Sequence, residues 1–376
     1  MGNSSSDLPE TTHIVIVGGG FAGCQLATRL KDKGKFTLID SREAMHMNIG
    51  ALRSSVEPGF AKKTMIPYKE MFGENFKQGV VRSINIEDKS VILVAGDEVI
   101  HYTHLVIATG SLGMFPAKLM MTVAVDDALS LYKTQIEEIQ SAKSIVIIGG
   151  GAVGVELAGE IATEYKDKQV TLVHPHEHLV NAMLSESFQK EVKSQLEALN
   201  VKLILCDRVT NKDEIPDDYT KDKFIVKTKN GVELEADLAI RATGLRVNSM
   251  AYSGTMADKM NDRERLKVNE FLEVIDCTNV YAIGDCNNVQ ETKMAYRAGL
   301  QADLLAANLI KESQGKPKSP YKPAGHMMLL SIGRNGGAFQ LPNGFVLGGF
   351  VTRYLKSRDV FVGKYWKDFG LKEPTE

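Results

Sequence analysis

The segment "IVIVGGGFAGCQLATRL", residues 14–30, is nearly repeated as "IVIIGGGAVGVELAGEI", residues 145–161. Each copy starts with a short apolar, β-branched run, passes through a GxGxxG turn and continues with the apolar spacing of a helix. That order predicts a buried strand, a tight turn and a helix, which together begin a nucleotide-binding βαβ unit. Two such units in one chain predict two dinucleotide sites.

The first repeat has the parts that a dinucleotide site requires. Gly18 allows the tight turn, Gly20 lets the backbone approach a diphosphate, and Gly23 lets helix and strand pack closely. The helix N-terminus supplies free N–H groups for the phosphates. The next strand ends in Asp40, whose carboxylate can accept hydrogen bonds from ribose hydroxyls. The residues predicted to form this turn are Gly18, Gly19, Gly20, Phe21, Ala22 and Gly23.

The second repeat differs at the end of its second strand, where His174 stands in the place of the acid. An acid there favours the 2′-hydroxyl of NADH and repels the 2′-phosphate of NADPH, so a histidine removes that repulsion. The alternative is that His174 only ends the strand and points away from the ligand, and the pattern leaves both open. The turn residues predicted to hold this nucleotide are Gly149, Gly151 and Gly154.

Three later segments extend the same architecture. "HLVIATG", residues 104–110, and "LAIRATG", residues 238–244, each place an apolar strand before an Ala-Thr-Gly turn, which puts Gly244 at the second nucleotide. "NVYAIGDC", residues 279–286, is a further strand, and Asp285 follows its carboxyl end. Ligands of such sheets bind beyond the carboxyl ends of the strands. Asp285 is therefore expected to meet a ligand, with a helix N-cap as the open alternative.

Three glutamates recur at four-residue spacing in the second repeat helix and so share one helix face. Glu156 lies near the ligand end of the helix and is expected to serve the nicotinamide nucleotide. Glu160 and Glu164 are expected to form a solvated acidic stripe.

Composition and charge exclude several other classes of protein. The 376 residues suffice for two or three domains, and a formal net charge of -2 gives no overall attraction for nucleic acid. The four cysteines show neither a CxxC pair nor a zinc-ligand spacing. A dithiol relay is therefore disfavoured, no metal site is predicted, and an acceptor that reaches the cofactor directly is expected. No apolar run has the length of a membrane span. The N-terminal residues lack the apolar core of a signal peptide, so secretion is not expected.

The fold predicted from this order is α/β, with two Rossmann-like dinucleotide-binding domains and a small C-terminal α+β domain. A tail occupies residues 1–10, and the first domain combines residues 11–118 with 246–315. The second domain, residues 119–245, is inserted between these two parts. A proline-rich stretch, Gly315–Pro323, reads as a linker to the C-terminal domain, residues 316–376.

Together these motifs resemble the two-dinucleotide-binding-domain flavoproteins over essentially the whole chain. That family includes type II NADH dehydrogenases, apoptosis-inducing factor and disulfide reductases. The resemblance implies FAD on the first repeat and NADH or NADPH on the second, with Glu156 in the nicotinamide site. It implies that FAD contacts residues 18–22, Arg53, Val81 and Asp285.

Within the family, "NIGALRSSVEPGFAKKT", residues 48–64, and "TRYLKSRDVFV", residues 352–362, resemble a membrane-attached NAD(P)H:quinone reductase. The resemblance implies a ubiquinone-type or vitamin K-type acceptor whose quinol traps radicals and suppresses lipid peroxidation. Lys293 and Met294, which follow Asp285 closely, are expected near the flavin and the quinone. A flavin-containing death effector that binds nucleic acid or protein, and a ferredoxin-type reductase, remain the alternatives. The near-neutral charge disfavours strong nucleic-acid binding.

The termini suggest how the chain meets a lipid-soluble quinone. The first six residues fit the myristoylation pattern at Gly2. One acyl chain binds membranes only marginally, so a second signal is expected. The stretch Phe345–Trp366 mixes apolar and basic residues as an interfacial segment does, and two core strands are the alternative. These features predict the cytosolic face of membranes (plasma membrane, lipid droplet or outer mitochondrial membrane) with a cytosolic pool, and leave a homodimer open.

Overall fold

The computed structural model describes residues 8–215, 224–323 and 325–375. Gly2 lies outside these ranges. Both repeats form the elements that their patterns predict. Strand His13–Val17 leads into helix Phe21–Leu30, and strand Ser144–Ile148 leads into helix Ala152–Glu164.

The two turns need glycine because of close backbone contacts. Gly18 and Gly149 have φ angles of 107° and 115°, which residues with a side chain rarely adopt. A Cβ atom on Gly23 would lie 1.9 Å from the carbonyl oxygen of Gly18. A Cβ atom on Gly154 would lie 1.8 Å from that of Gly149. The same helix–turn contact is thus built twice.

The first sheet has five parallel strands and is completed by a strand from late in the chain. Val280–Ala282 pairs with the strand at residues 104–107, which in turn pairs with His13–Val17. Its apolar side chains are buried on both faces, as in parallel sheets generally. The spatial order is Val280–Ala282, His104–Ile107, His13–Val17, Lys35–Asp40 and Phe76–Gln78.

The second sheet has four parallel strands, all drawn from the chain between the two parts of the first sheet. Its order is Lys202–Ile204, Gln169–Val173, Ser144–Ile148 and Leu238–Arg241. The predicted α/β fold, with one Rossmann-like unit inserted in another, is confirmed. The two connections between the units pair as the short antiparallel strands Ser111–Leu112 and Arg246–Val247.

The remaining strands form small antiparallel sheets. Their bounds are Ala44–His46 with Met65–Pro67; Val81–Asn85, Ser90–Leu93 and Val99–His101; Phe224–Lys227 with Glu233–Ala236; and Met328–Ile332, Gly336–Gln340 and Val346–Leu347. The other α-helices are Ala51–Ser54, Phe60–Lys63, Tyr68–Phe72, Val125–Ser141, Glu186–Ala198, Ala295–Ser313, Gly349–Thr352 and Val362–Asp368. The segment Arg353–Ser357 is a π-helix. Single 3₁₀ turns lie at Gly73–Asn75, Ala95–Asp97, Lys212–Glu214, Ala257–Lys259 and Gly284–Cys286.

The C-terminal segment packs on both units and shares their cores. Leu330 and Ile332 join the core of the second sheet, whereas Trp366 and Phe369 join the core of the first. The predicted linker is held in place, since the hydroxyl of Tyr321 hydrogen-bonds both carboxylate oxygens of a glutamate at 2.9 and 3.0 Å. This segment is therefore a layer that bridges the two nucleotide-binding units.

The stretch Phe345–Trp366 contains one two-residue strand, Val346–Leu347, and is otherwise mainly helical. The alternative of two core strands is therefore wrong. Across the described ranges, every helix is too short or too polar to span a membrane.

Candidate functional site

One cavity of about 700 Å³ lies where the first sheet, the second repeat helix and the C-terminal layer meet. The carboxyl ends of the first sheet's strands open into it, which is where such sheets bind ligands. From the sites predicted by sequence, it is lined by Gly18, Gly20, Phe21, Ala22, Asp40, Val81, Glu156, Asp285, Lys293 and Met294.

The first glycine turn fits a dinucleotide. A Cβ atom on Gly20 would have no neighbour within 4 Å, so this part of the turn is open to a ligand. Helix Phe21–Leu30 begins without a side-chain cap, which leaves its first N–H groups available to a diphosphate. Gly19 is needed for packing, because its Cβ would lie 2.5 Å from the hydroxyl oxygen of Tyr68. The turn thus combines an open face toward the cavity with a packed face toward the core.

Asp40 holds the glycine turn and also faces the cavity. Its Oδ2 atom accepts a hydrogen bond from the N–H of Gly19 at 2.7 Å, and its Oδ1 atom accepts one from the N–H of Arg42 at 3.0 Å. A carboxylate has about four acceptor positions, so two remain for ribose hydroxyls. Asp40 thus lies at the end of its strand and at the cavity, and its contact with a ribose stays a prediction.

Basic side chains that the sequence interpretation missed also line the cavity. Within the described chain, Nε of Arg42 makes no hydrogen bond, although it lies 3.5 Å from Oδ1 of Asp40. Burial lowers the pKa of Lys118, and Asp285 opposes that effect. A dinucleotide brings two negative phosphates, which such cations would neutralise. The position of Arg42, two residues after the strand-ending acid, is the signal that could have found it.

Asp285 and its neighbours form the far side of the cavity. The Oδ2 atom of Asp285 accepts a hydrogen bond from Oγ of Ser111 at 2.6 Å. The next long helix starts at Ala295, so the N-cap interpretation of Asp285 is wrong. Nζ of Lys293 donates to Oδ1 of Asn287 at 2.9 Å, and burial lowers the pKa of this lysine.

Arg53 lies outside the cavity lining, contrary to the flavin contact that the resemblance implied. Its side chain is 1% exposed and forms an ion pair with Glu160, with Nη2 2.8 Å from Oε1. Its remaining N–H groups donate to the carbonyl oxygens of Ser357 and Arg358. Every one of these bonds points toward the second repeat helix and the C-terminal layer.

The three glutamates of the second repeat helix bind cations from three other segments. Glu156 lines the cavity, and its Oε1 lies 2.5 Å from Nζ of Lys356. Glu160 is 4% exposed, so the expectation that it is solvated is wrong. Glu164 lies at the surface as expected and is 3.1 Å from Nη2 of Arg334. The stripe therefore attaches this helix to the rest of the molecule.

The second glycine turn faces a more open surface. A Cβ atom on Gly151 or on Gly244 would have no neighbour within 4 Å. Of this repeat, the cavity takes in only the first turns of the helix, at Ala152, Val153 and Glu156. A nucleotide on this turn would therefore extend its reactive end into the shared cavity and leave its other half outside.

His174 occupies the position that Asp40 has in the first unit. Its Nδ1 accepts a hydrogen bond from the N–H of Gly150 at 2.9 Å, as Asp40 accepts one from Gly19. Burial lowers the pKa of His174, and the nearby His176 lowers it further. The ring is therefore neutral and replaces the acid as the partner of the turn, without a negative charge.

Comparison with known proteins identifies the family. The family model described as pyridine nucleotide-disulphide oxidoreductase matches residues 12–301. The chain belongs to this family. The pyridine nucleotide-disulphide oxidoreductases are flavoenzymes, so the protein is an FAD-dependent NAD(P)H oxidoreductase, and the predicted cofactors FAD and NAD(P)H are confirmed.

Individual relatives match over nearly their whole length. Ferroptosis suppressor protein 1 of Xenopus tropicalis is 43% identical, over 99% of this chain and 99% of that protein. Its counterpart in Homo sapiens is 41% identical, over 100% of both. Among solved structures, the sulfide:quinone oxidoreductase of Aquifex aeolicus matches with a TM-score of 0.77 and 19% identity, covering 96% of this chain and 92% of that one. That structural match shows a shared fold.

The disulphide chemistry in the family's name has no counterpart in this cavity. All four cysteines fall within the described ranges, and all are free thiols. None of them lines the cavity. Within the described residues, no cysteine pair therefore stands at the cavity to relay electrons.

The lack of a negative charge at His174 allows a test of nicotinamide choice. We expect His174→Glu to lower kcat/KM for NADPH by about 10-fold or more, because like charges brought together cost up to several kcal/mol. The kcat/KM for NADH should change little, since a carboxylate can still accept the Gly150 N–H bond. The measurement is the ratio of the two kcat/KM values.

His174→Gln is the matched control, since it offers an acceptor without a charge, and it should keep the ratio of the wild type. If the ratio stays unchanged in His174→Glu, the side chain does not face the 2′ position.

Proposed function

We propose that this protein is a membrane-associated NAD(P)H:quinone oxidoreductase that reduces ubiquinone-type and vitamin K-type quinones. The resulting quinols would trap radicals and suppress lipid peroxidation. Support comes from relatives named ferroptosis suppressor protein 1 and from a fold shared with a sulfide:quinone oxidoreductase. The observation that carries the proposal is that the C-terminal layer supplies both an apolar wall of the cavity and an exposed aromatic surface.

The first of these is the apolar wall of the cavity. Met328, Leu330 and Phe361 of the C-terminal layer line the cavity, as does Leu355, which is also 43% exposed. An apolar wall suits a quinone ring and the first units of an isoprenoid tail. Leu355 directly follows the exposed Tyr354 in the chain, so the cavity wall and the outer surface of the C-terminal layer are supplied by the same short segment.

Outside the cavity, the surface has the composition of a membrane interface. Phe350 is 78% exposed and Tyr354 is 65% exposed, and their rings contact each other at a centroid distance of 5.3 Å. Arg353 and Arg358 lie beside them in sequence and are also exposed. Exposed aromatic side chains among basic ones favour a bilayer surface with anionic headgroups. Myristoylation at Gly2 would supply the second signal at the cytosolic face of a membrane.

Reduction of a quinone to its quinol takes two electrons and two protons. The hydride of NAD(P)H carries both electrons and one proton, so one more proton must come from water. The chemistry that FAD supplies when bound is hydride acceptance and two-electron transfer. The pair formed by Lys356 and Glu156 lies at the cavity, and Lys356 belongs to the C-terminal wall. Nζ of Lys356 is placed to donate a proton to a quinone oxygen, and Glu156 holds the ammonium in position.

The exposed face provides the test of this function. We expect Phe350→Glu to lower turnover of long-tailed ubiquinone in vesicles by about 10-fold, because the bilayer would bury this exposed aromatic side chain and losing that burial costs about 1.5–3 kcal/mol. Turnover of a short-tailed soluble quinone and flavin reduction by NADH should stay near wild type. Both quinones are assayed on the same purified protein.

Val94→Glu is the control, since Val94 is 55% exposed directly after the strand Ser90–Leu93 of the first unit, and it should affect neither quinone. Equal losses for both quinones in Phe350→Glu would contradict a lipid-facing role. Preference for ferredoxin as acceptor would favour a ferredoxin-type reductase, and absence of turnover with every acceptor would favour a death effector.

A further inference from the structure

The buried guanidinium of Arg53 ties together two separate segments of the protein. Its Nε and Nη2 atoms donate to both carboxylate oxygens of Glu160, at 3.2 and 2.8 Å. Its Nη2 and Nη1 atoms also donate to the carbonyl oxygens of Ser357 and Arg358, at 2.7 and 3.0 Å. Four hydrogen bonds thus join the second repeat helix to the C-terminal layer through one side chain.

Each segment held by Arg53 carries one member of the pair at the cavity. Glu160 lies one helical turn after Glu156, on the same helix face. Ser357 directly follows Lys356 in the chain. Arg53 therefore fixes the separation of the two backbones from which the carboxylate and the ammonium extend.

The C-terminal segment has a reason to need this external support. Arg353–Ser357 is a π-helix, in which the N–H of Arg358 bonds the carbonyl of Arg353 at 3.1 Å. Such turns are rare and short, and their last carbonyl groups have no partner within the turn. A cation at this end also offsets the negative pole of the turn. Arg53 supplies both the donors and the charge.

We propose that Arg53 is a positioning residue for quinone protonation, which acts through Lys356 and not through contact with the flavin. This inference rests on the proposed quinone reductase function. A lysine side chain is long and flexible, so its ammonium is aligned only where its backbone and its partner are both fixed. The planar fork of arginine makes bonds in several directions at once, which a single ammonium cannot reproduce.

The experiment compares Arg53→Lys with the matched variant Arg334→Lys. Arg334 pairs with Glu164 of the second repeat helix at 3.1 Å and with Glu57 at 2.9 Å. Glu164 lies two helical turns after Glu156, so this contact does not reach the cavity pair. We expect Arg53→Lys to lower kcat with a soluble quinone by about 10-fold to 100-fold, as misplacement of a reacting group by about 1 Å does. Turnover of ferricyanide, which takes up no proton, and the flavin-to-protein ratio should match wild type. Arg334→Lys should match wild type throughout.

Two further measurements separate positioning from general stability. Hydrogen exchange of the amides at residues 353–361 should be faster in Arg53→Lys than in Arg334→Lys, because the two hydrogen bonds from Arg53 to carbonyl oxygens of this segment are weakened. In a Lys356→Ala background, Arg53→Lys should cause no further loss of quinone kcat, because the two residues act in one step.

Three results would overturn the inference. Loss of flavin in Arg53→Lys would return the residue to the FAD site. Equal losses with quinone and ferricyanide, or losses that add to those of Lys356→Ala, would show a role independent of Lys356. If the wild type reduced ferricyanide but no quinone, the proposed function would fail instead, and hydrogen exchange would still report whether Arg53 holds the segment.

Discussion

Gly23→Ala is expected to purify with much less flavin than wild type, whereas Gly154→Ala is expected to retain its flavin but to need far more NAD(P)H to reduce it. In each variant the new methyl carbon would meet a backbone carbonyl oxygen, of Gly18 at 1.9 Å or of Gly149 at 1.8 Å. A backbone atom cannot move aside as a side chain can, so the turn must open. Overpacking of this kind costs 1–3 kcal/mol or more, which is about 10-fold to 100-fold in affinity for the nucleotide.

Two spectra decide this prediction. Flavin content is read from the visible absorbance of the purified variants, and reduction from its bleaching on addition of NADH. Gly299→Ala is the control, because a Cβ atom there has no neighbour within 4 Å and alanine suits a helix interior. If Gly154→Ala lost its flavin as Gly23→Ala does, the two turns would not hold separate nucleotides.

The parts of the fold that sequence predicted are those whose determinants lie close together in the chain. Gly18 and Gly23 are in contact within one turn, and Asp40 ends the very next strand. The second unit repeats the same local contacts, with His174 in place of the acid as the partner of the turn. Such local rules can be recognised in a single sequence, because the ligand's diphosphate dictates them.

The parts that sequence could not supply depend on contacts between distant segments. Arg53 and Glu160 are 107 residues apart, and Lys356 and Glu156 are 200 apart. In the sequence, Glu156, Glu160 and Glu164 are alike, since spacing reveals a shared face but not what covers it. Only the folded structure shows that Glu160 forms a buried ion pair, whereas Glu164 stays at the surface.

The same limitation explains the interpretation of the C-terminal segment. The sequence predicts one C-terminal domain, whereas Leu330 packs with the second unit and Trp366 with the first. The indole N–H of Trp366 also donates to the carbonyl of Lys63 at 2.8 Å. Hydrophobic periodicity shows that a segment is partly buried, and it does not show against which core. The C-terminal layer bridges the two units and forms the third wall of the cavity, beside the first sheet and the second repeat helix. Lys356 belongs to that wall.

Lys356→Gln is expected to lower quinone turnover by about 100-fold, at the lower end of the range for loss of a positioned proton donor. Lys356 lines the cavity and is 9% exposed, and its ammonium is held by Glu156 and by the carbonyl oxygen of Leu329 at 3.2 Å. Glutamine is shorter and neutral, so it can neither pair with Glu156 nor supply the proton. Flavin content and flavin reduction by NADH should stay near wild type, because the electrons of NADH reach the flavin without a proton from Lys356.

Three measurements separate proton supply from a general effect of charge. Ferricyanide turnover should remain normal in Lys356→Gln, since ferricyanide takes up electrons alone. Quinone turnover should become more sensitive to D₂O and should recover in part with a small added alkylamine, which offers the missing proton donor. Lys364→Gln is the control, because Lys364 is 61% exposed and pairs with Asp368 at the surface. If ferricyanide and quinone turnover fell together, or if no amine restored the rate, Lys356 would serve the electrostatics of the cavity and the proton would come from elsewhere.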